Sequence, residues 1–238
     1  MKHKFLLLWL TVPFLCNCLA NTPLLSSEEK SFHVNKPPLQ AIQISRTDSL
    51  DLLDKVLSPF EDMTEYALDG NYGGVLNSLD AIKKARSDML FKSAFETKNY
   101  IKLEKKIDLL QKNITHKNYK KIALLSTEIF NDNINNFRYA NGVKEQIAIE
   151  RLDYMGFEIL ALLYQDNRDY ARLDTTLAQT KEVWIALRSK VKDKNIIDSF
   201  DLLFKGLQIS SKQKNSEIMN IFASLDLALV DVLEKQFQ

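Results

Sequence analysis

A polar turn that recurs four times constrains the fold of this chain more than any other sequence feature. The turns read DGNY at 69–72, HKNY at 116–119, NRDY at 167–170 and KQKNS at 212–216. Their last positions lie 47, 51 and 46 residues apart, and apolar residues follow each turn at the spacing of one helix face. Two helices of about 20 residues and two short connections account for such a period. The repeat therefore predicts four αα-hairpins.

Helix-breaking residues are scarce between the turns, which extends the helical prediction over most of the chain. From Thr47 onward the sequence has one proline, Pro59, and six glycines, and it shows no strand pattern. We therefore expect an all-α fold of about eight antiparallel helices. The predicted helices cover residues 49–69, 72–92, 96–113, 119–137, 144–164, 170–190, 195–211 and 216–237.

Short polar side chains mark the starts of several of these helices. The predicted caps are Asp48 or Ser49, Asn118, Asp169 and Ser216. Pro59 lies inside the first predicted helix, where it lacks an N–H and clashes with the preceding turn. We expect it to kink that helix or to make Ser58 the cap of a second one.

The turn tyrosines, Tyr72, Tyr119 and Tyr170, have a structural interpretation. A tyrosine at the start of the second helix of a hairpin can lay its ring across the hairpin end and keep its hydroxyl in water. We expect this packing role in preference to ligand binding.

The last predicted helix favours a closed bundle over an open α-solenoid. Its apolar residues cover about half of the helix circumference, with Leu227 outside that arc: Ile218, Met219, Ile221, Phe222, Leu225, Leu229, Val230, Val232, Leu233 and Phe237. The terminal helix of a solenoid needs a polar outer face. We therefore predict one or two closed helical bundles, with an open α-solenoid as the alternative.

The predicted helix 144–164 has two apolar stripes, so it requires two packing partners. The first consists of Ala148, Leu152, Met155, Ile159 and Leu162, and the second of Tyr154, Phe157, Ala161 and Tyr164. The second stripe is expected to join the first pair of hairpins to the last pair. The alternative is a surface for a protein partner that includes Tyr154, Phe157, Tyr164, Leu227 and Val230. The break FRYANG at 137–142 would divide the domain, 47–238, into halves 47–139 and 143–238.

The N-terminal residues predict export. Residues 1–20 place two lysines before an apolar run that is too short to span a bilayer, as in a signal peptide. Cleavage after Ala20 is the preferred processing, with a lipid anchor at Cys16 or Cys18 as the alternative. Residues 21–46 are expected to form a flexible leader or tether. The expected location is the periplasm or the cell-envelope surface, and cleavage would leave no cysteine for a disulfide.

Charge and composition narrow the classes of function. Without Lys2 and Lys4 the chain has 30 basic and 31 acidic residues, which disfavours a nucleic-acid or anionic-membrane binder. Two histidines remain, His33 and His116, and neither lies on a predicted core face. No catalytic, cofactor or metal motif stands out, so we expect neither an enzyme nor a bound cofactor.

Two sets of residues keep a ligand-binding alternative open. Met63, Met89, Met155 and Met219 are candidate axial ligands for haem, although methionines at core spacing usually fill gaps. Glu61, Asp62, Glu65 and Asp69 are candidate ligands for a hard cation, although we expect a solvated helix face. The predicted function is that of an exported, non-catalytic interaction or scaffold protein of a bacterial-type cell envelope, with protein partners or self-association. The alternative is a periplasmic bundle that binds a small ligand, metal or haem.

Overall fold

The structure, a computed structural model, describes residues 44–237. The predicted signal peptide, with Cys16 and Cys18, and the predicted leader up to residue 43 lie outside the described residues. Within residues 44–237 the chain forms nine α-helices, one 3-10 helix and no strand, so the all-α prediction is confirmed. The helices are α1 Arg46–Leu68, α2 Tyr72–Ser87, α3 Met89–Ser93, α4 Thr97–Thr115, α5 Tyr119–Asn136, α6 Lys144–Leu163, α7 Tyr170–Arg188, α8 Lys194–Lys212 and α9 Ser216–Glu234, and the 3-10 helix is Ala140–Gly142.

The recurring turn residue before each tyrosine or serine caps the second helix of a hairpin. The side chains of Asn71, Asn118, Asp169 and Asn215 each accept a hydrogen bond from the backbone N–H three residues later. The predictions that Asn118 and Asp169 are caps are thus confirmed, whereas the prediction that Ser216 caps the last helix is wrong. Asn215 takes that position because its side chain reaches the N–H of Ile218 at 3.1 Å.

Three of the turns close the preceding helix with a residue in the left-handed region. These residues are Gly70, Lys117 and Lys214, with φ of 66°, 51° and 52°. The next N–H reaches back five residues in each case, as from Asn71 to the Tyr66 carbonyl at 2.8 Å. Glycine suits this conformation, while lysine is strained in it.

The strained lysines contact turn tyrosines of the neighbouring hairpin. The Lys117 ammonium lies 4.6 Å from the centre of the Tyr72 ring, and the Lys214 ammonium lies 5.7 Å from that of Tyr170. Such cation–π contacts contribute about 0.5–1 kcal/mol at exposed sites. The Tyr170 hydroxyl also donates to the Lys214 carbonyl at 3.2 Å. The tyrosines therefore link adjacent turns.

The first helix starts earlier than predicted and continues through Pro59. Ser45 is the cap, and Asp48 completes a capping box with it, so neither Asp48 nor Ser49 is the cap. Ser58 does not start a second helix, because α1 is continuous and the Ser58 hydroxyl donates to Asp54 at 2.6 Å. The helix tolerates the missing N–H of Pro59 because buried side chains before and after it hold both sections in the core.

The predicted helix 72–92 is divided at Asp88. α2 ends at Ser87, and the Asp88 carboxylate accepts from the N–H of Leu90 at 2.8 Å to start the short α3. An aspartate side chain can accept a hydrogen bond from a nearby backbone N–H, and this bond favours the end of one helix and the start of another. The periodicity of this segment did not reveal the break.

The helices form two closed four-helix bundles. In the first, α1 packs on α2 and α5, and α4 packs on α5 and α2. In the second, α6 packs on α7 and α9, and α8 packs on α9 and α7. Each bundle is therefore a ring of two αα-hairpins, which confirms the closed arrangement. Residues 137–143 connect the two bundles.

One helix contributes to the cores of both bundles. Leu152 and Met155 of α6 are buried in the second core, whereas Tyr154 and Phe157 are buried in the first. The Tyr154 ring meets Phe130 of α5 edge to face, with 6.3 Å between the ring centres. The prediction that helix 144–164 joins the two pairs of hairpins is thus confirmed.

Candidate functional site

A groove runs along α6 between α1 and α9. Both flanking helices pack on α6, but they do not pack closely on one another. The larger of two cavities in the groove has a volume of about 820 Å³ and extends from Asp69 and Ser216 to Asp153. The smaller, about 320 Å³, lies at the other end beside Asp54 and Glu234. We call these two cavities together the acidic groove.

Carboxyl groups dominate the lining of the acidic groove. Ten of them line the two cavities: Asp51, Asp54, Glu61, Glu65 and Asp69 on the α1 side, Glu150 and Asp153 on α6, and Glu217, Asp231 and Glu234 on α9. In the part of the chain that the structure describes, Arg168 is the only basic residue that lines either cavity. A cleft lined by one sign of charge concentrates its field and attracts ligands of the opposite sign.

The spacing of these residues explains how α1 directs its acids to one side. Asp54, Glu61, Glu65 and Asp69 follow one another at intervals of seven, four and four residues, which keeps them on one helix face. Glu65 and Asp69 are exposed, as expected for a solvated face. The expectation of a solvated face is wrong for Glu61. This side chain is half-buried because α6 packs on α1.

Two carboxyl groups meet near the middle of the groove. Burial raises the pKa of Glu61 to about 7, with Asp62 and Glu234 adding to the rise, while a hydrogen bond with Asp153 opposes it. Burial also raises the pKa of Asp153 well above its usual range, with Glu61 and Glu150 as further causes. Because burial and mutual repulsion both disfavour two charges here, the pair favours a form in which at least one carboxyl group is protonated.

The smaller cavity repeats this pattern. Burial raises the pKa of Glu150 to about 8, and the charges of Glu61, Glu234 and Asp54 add to it. The pKa of Glu234 is also raised, first by burial and then by Asp231 and Asp54. Some carboxyl groups of the groove are therefore protonated at a pH where free carboxyls are ionised. A bound cation would favour loss of these protons.

Asp226 lies in the contact between α9 and α6. Its side chain is fully buried, and neither carboxyl oxygen has a hydrogen-bond partner among residues 44–237. Burial raises its pKa well above the ordinary value, and the backbone of Gly156 partly opposes the rise. A neutral Asp226 is consistent with its position, because an unpaired buried charge is far more costly than a protonated acid.

The floor of the groove is apolar at the end that contains Asp69 and Ser216. Phe157, Leu160, Leu163 and Tyr164 of α6 line this part, with Leu227 of α9 beside them. Ile221 lines the α9 wall and is 64 % exposed. The groove therefore combines an apolar floor with acidic walls.

The structure brings together only part of the sequence-derived interaction surface. Phe157, Tyr164 and Leu227 line the same cavity. Tyr154 is buried in the first core and Val230 in the second, so both are separated from the groove. That set did not include the acids on α1 and α9, which are at least 148 residues apart in the sequence. The four-residue spacing of Glu61, Glu65 and Asp69 was the only local signal for them.

The ligand-binding candidates occupy different environments. Met63 lies in the first core, Met155 and Met219 in the second, and Met89 is exposed. Among the residues that the structure describes, no group of three or more His, Cys, Asp or Glu side chains is placed to hold a metal ion. Within the same residues, no helix combines the length and apolar character needed to cross a membrane. Comparisons with protein families, with curated proteins and with solved structures found no match to the chain.

Proposed function

We propose that this chain is an exported, non-catalytic interaction module of a bacterial-type cell envelope, and that the acidic groove binds a cationic partner. The observation that carries the proposal is the set of ten acidic residues against one basic residue along a single groove. Export follows from the N-terminal sequence pattern and is part of the same proposal.

The chemistry of the groove favours binding over catalysis. Its lining in residues 44–237 consists of carboxyl, apolar and amide side chains together with Tyr164, Arg168 and Ser216, and it includes no histidine or lysine. Carboxyl groups at this density attract and orient a cation. Covalent catalysis by Ser216 would need an adjacent base that activates the hydroxyl.

A small cationic ligand is the second candidate. A cavity of about 820 Å³ falls within the size range of small-molecule sites. The long, open form of the groove favours an elongated partner, because a compact ligand would contact only one of the two cavities. Direct binding measurements separate these candidates.

The proposal is tested with an oligolysine peptide of about ten residues and with spermine, titrated against the domain at low and moderate salt. The double variant Glu65→Lys/Glu217→Lys should weaken binding at least about tenfold, because it reverses charge on both walls. The control Asp108→Lys/Glu182→Lys changes the net charge equally at exposed positions that do not line the groove. Equal loss in both double variants would show non-specific attraction and contradict the proposal.

A further inference from the structure

We propose that the segment bound in the acidic groove is a basic amphipathic α-helix of a partner protein. Its apolar face would lie on the floor formed by α6, and its basic side chains would contact the walls formed by α1 and α9. This inference rests on the proposed function and specifies the chemistry of the partner.

The packing of α1, α6 and α9 provides the space for a helix. α1 and α9 lie on either side of α6 and leave Leu160, Leu163 and Tyr164 at its C-terminal end half-exposed between them. Each bundle of this protein is a ring of four helices, so a fourth helix laid over these three would complete the same arrangement. Helices of partner proteins commonly bind in grooves of this kind.

The apolar floor has the spacing of a helix-packing face. Phe157, Leu160 and Tyr164 follow one another at intervals of three and four residues along α6. Leu227 extends this surface toward α9, and Ile221 forms its exposed edge. A partner that buries this isoleucine removes its apolar surface from water, which favours binding.

Acidic residues flank the apolar floor on both sides. Glu65 and Asp69 lie on the α1 side, and Glu217 and Asp231 on the α9 side. A helix with one apolar stripe carries polar residues on both sides of that stripe, so lysine or arginine there would face both walls. A strand has only two faces and cannot present an apolar face between two basic ones. The apolar floor between two acidic walls therefore favours a helix as the bound segment.

The length of the groove fits a helix of ordinary size. From Asp54 to Asp69 the α1 wall spans 15 residues, or about 22 Å of helix axis. This corresponds to about four turns of a bound helix, close to the mean length of helices in globular proteins.

The test uses three defined probes against the domain. The first is a peptide of about 18 residues, built from leucine and lysine with leucine at helical spacing, the second is a scrambled peptide of the same composition, and the third is spermine. The helical peptide should bind at least about tenfold more tightly than the scrambled one and should gain helical circular dichroism on binding.

Two matched variants test whether the helical peptide binds in the acidic groove. Ile221→Ser should weaken binding of the helical peptide about tenfold, because Ile221 lies at the groove edge. Leu202→Ser should leave it unchanged, because Leu202 is equally exposed, at 66 %, but lies on α8 and does not line the groove. Both variants change exposed side chains, so both should fold.

Each outcome decides a separate point. Equal affinity for the two peptides, a bound peptide without helical signal, or equal effects of Ile221→Ser and Leu202→Ser would overturn the helix inference and leave the cationic groove intact. Failure of all three probes to bind would overturn the proposed function as well.

Discussion

The carboxyl groups of Glu61 on α1 and Asp153 on α6 line the same cavity of the acidic groove, and the charge of Glu61 adds to the rise that burial causes in the pKa of Asp153. One proton held between two acids lowers their repulsion, and removal of that proton places two like charges in a poorly hydrated site. The contribution of the groove to the stability of the domain therefore depends on pH.

We predict that the domain is more stable at pH 5 than at pH 8. The pKa values of Glu61 and Glu150 are raised from 4.5 to about 7 and about 8, so the folded state keeps protons that the unfolded chain loses. A raised carboxyl pKa gives stability that is complete below the ordinary value and is lost as the pH rises through the folded value. Thermal melts between pH 5 and pH 8 should show a progressive loss of about 1–3 kcal/mol.

The variant Glu61→Gln should flatten this dependence and raise the melting temperature at pH 8. Glu182→Gln, at an exposed position outside the groove, should leave the dependence unchanged. The lowered pKa values of Glu145 and Asp201 affect stability only in more acidic solution, below the window tested. An unaltered pH profile in Glu61→Gln would contradict the assignment.

A second prediction concerns Arg172, which joins three helices. It donates to the fully buried Glu158 of α6 and, at 2.9 Å, to Glu128 of α5. Arg172→Met should destabilise the domain by about 3–5 kcal/mol, because it leaves the Glu158 carboxylate buried without a counter-ion. The double variant Arg172→Met/Glu158→Met should recover a large part of this loss in denaturant unfolding. No recovery would show that the arginine acts through packing alone.

A third prediction compares two adjacent glycines at the start of α2. A Cβ at Gly74 would lie 2.3 Å from Cγ of Tyr66, whereas one at Gly73 meets only Asn71 Oδ1 at 3.6 Å. Gly74→Ala should cost about 1–3 kcal/mol through overpacking. Gly73→Ala should be neutral or stabilising by up to about 1 kcal/mol, because alanine favours the helix. Similar unfolding free energies for the two variants would contradict the close approach of α1 and α2.

A fourth prediction separates strain from stacking at Lys117. Lys117→Gly relieves a left-handed conformation but removes the contact with Tyr72, and the two effects should nearly cancel. In a Tyr72→Leu background the stacking is already absent, so Lys117→Gly should stabilise by about 0.5–1 kcal/mol. A double-mutant cycle of unfolding free energies measures the difference.

The local periodicity of the sequence predicted the helices well, because the apolar stripes and capping residues are adjacent in the chain. The two stripes of α6 even predicted that this helix joins two bundles. Asp88 was missed as a break because a capping aspartate and a surface aspartate look alike in a helical pattern. The acidic groove was missed because it arises only when α1 and α9 pack on α6 from opposite ends of the described chain.

The sharing of α6 between two cores has a consequence for how the domain loses its structure. If the second bundle opened alone, α6 would leave the first core and expose Tyr154 and Phe157 to water. The apolar area of two aromatic side chains makes such a half-open state unfavourable. Both bundles should therefore melt in one cooperative transition, and a protease should find either the intact domain or a fully unfolded chain.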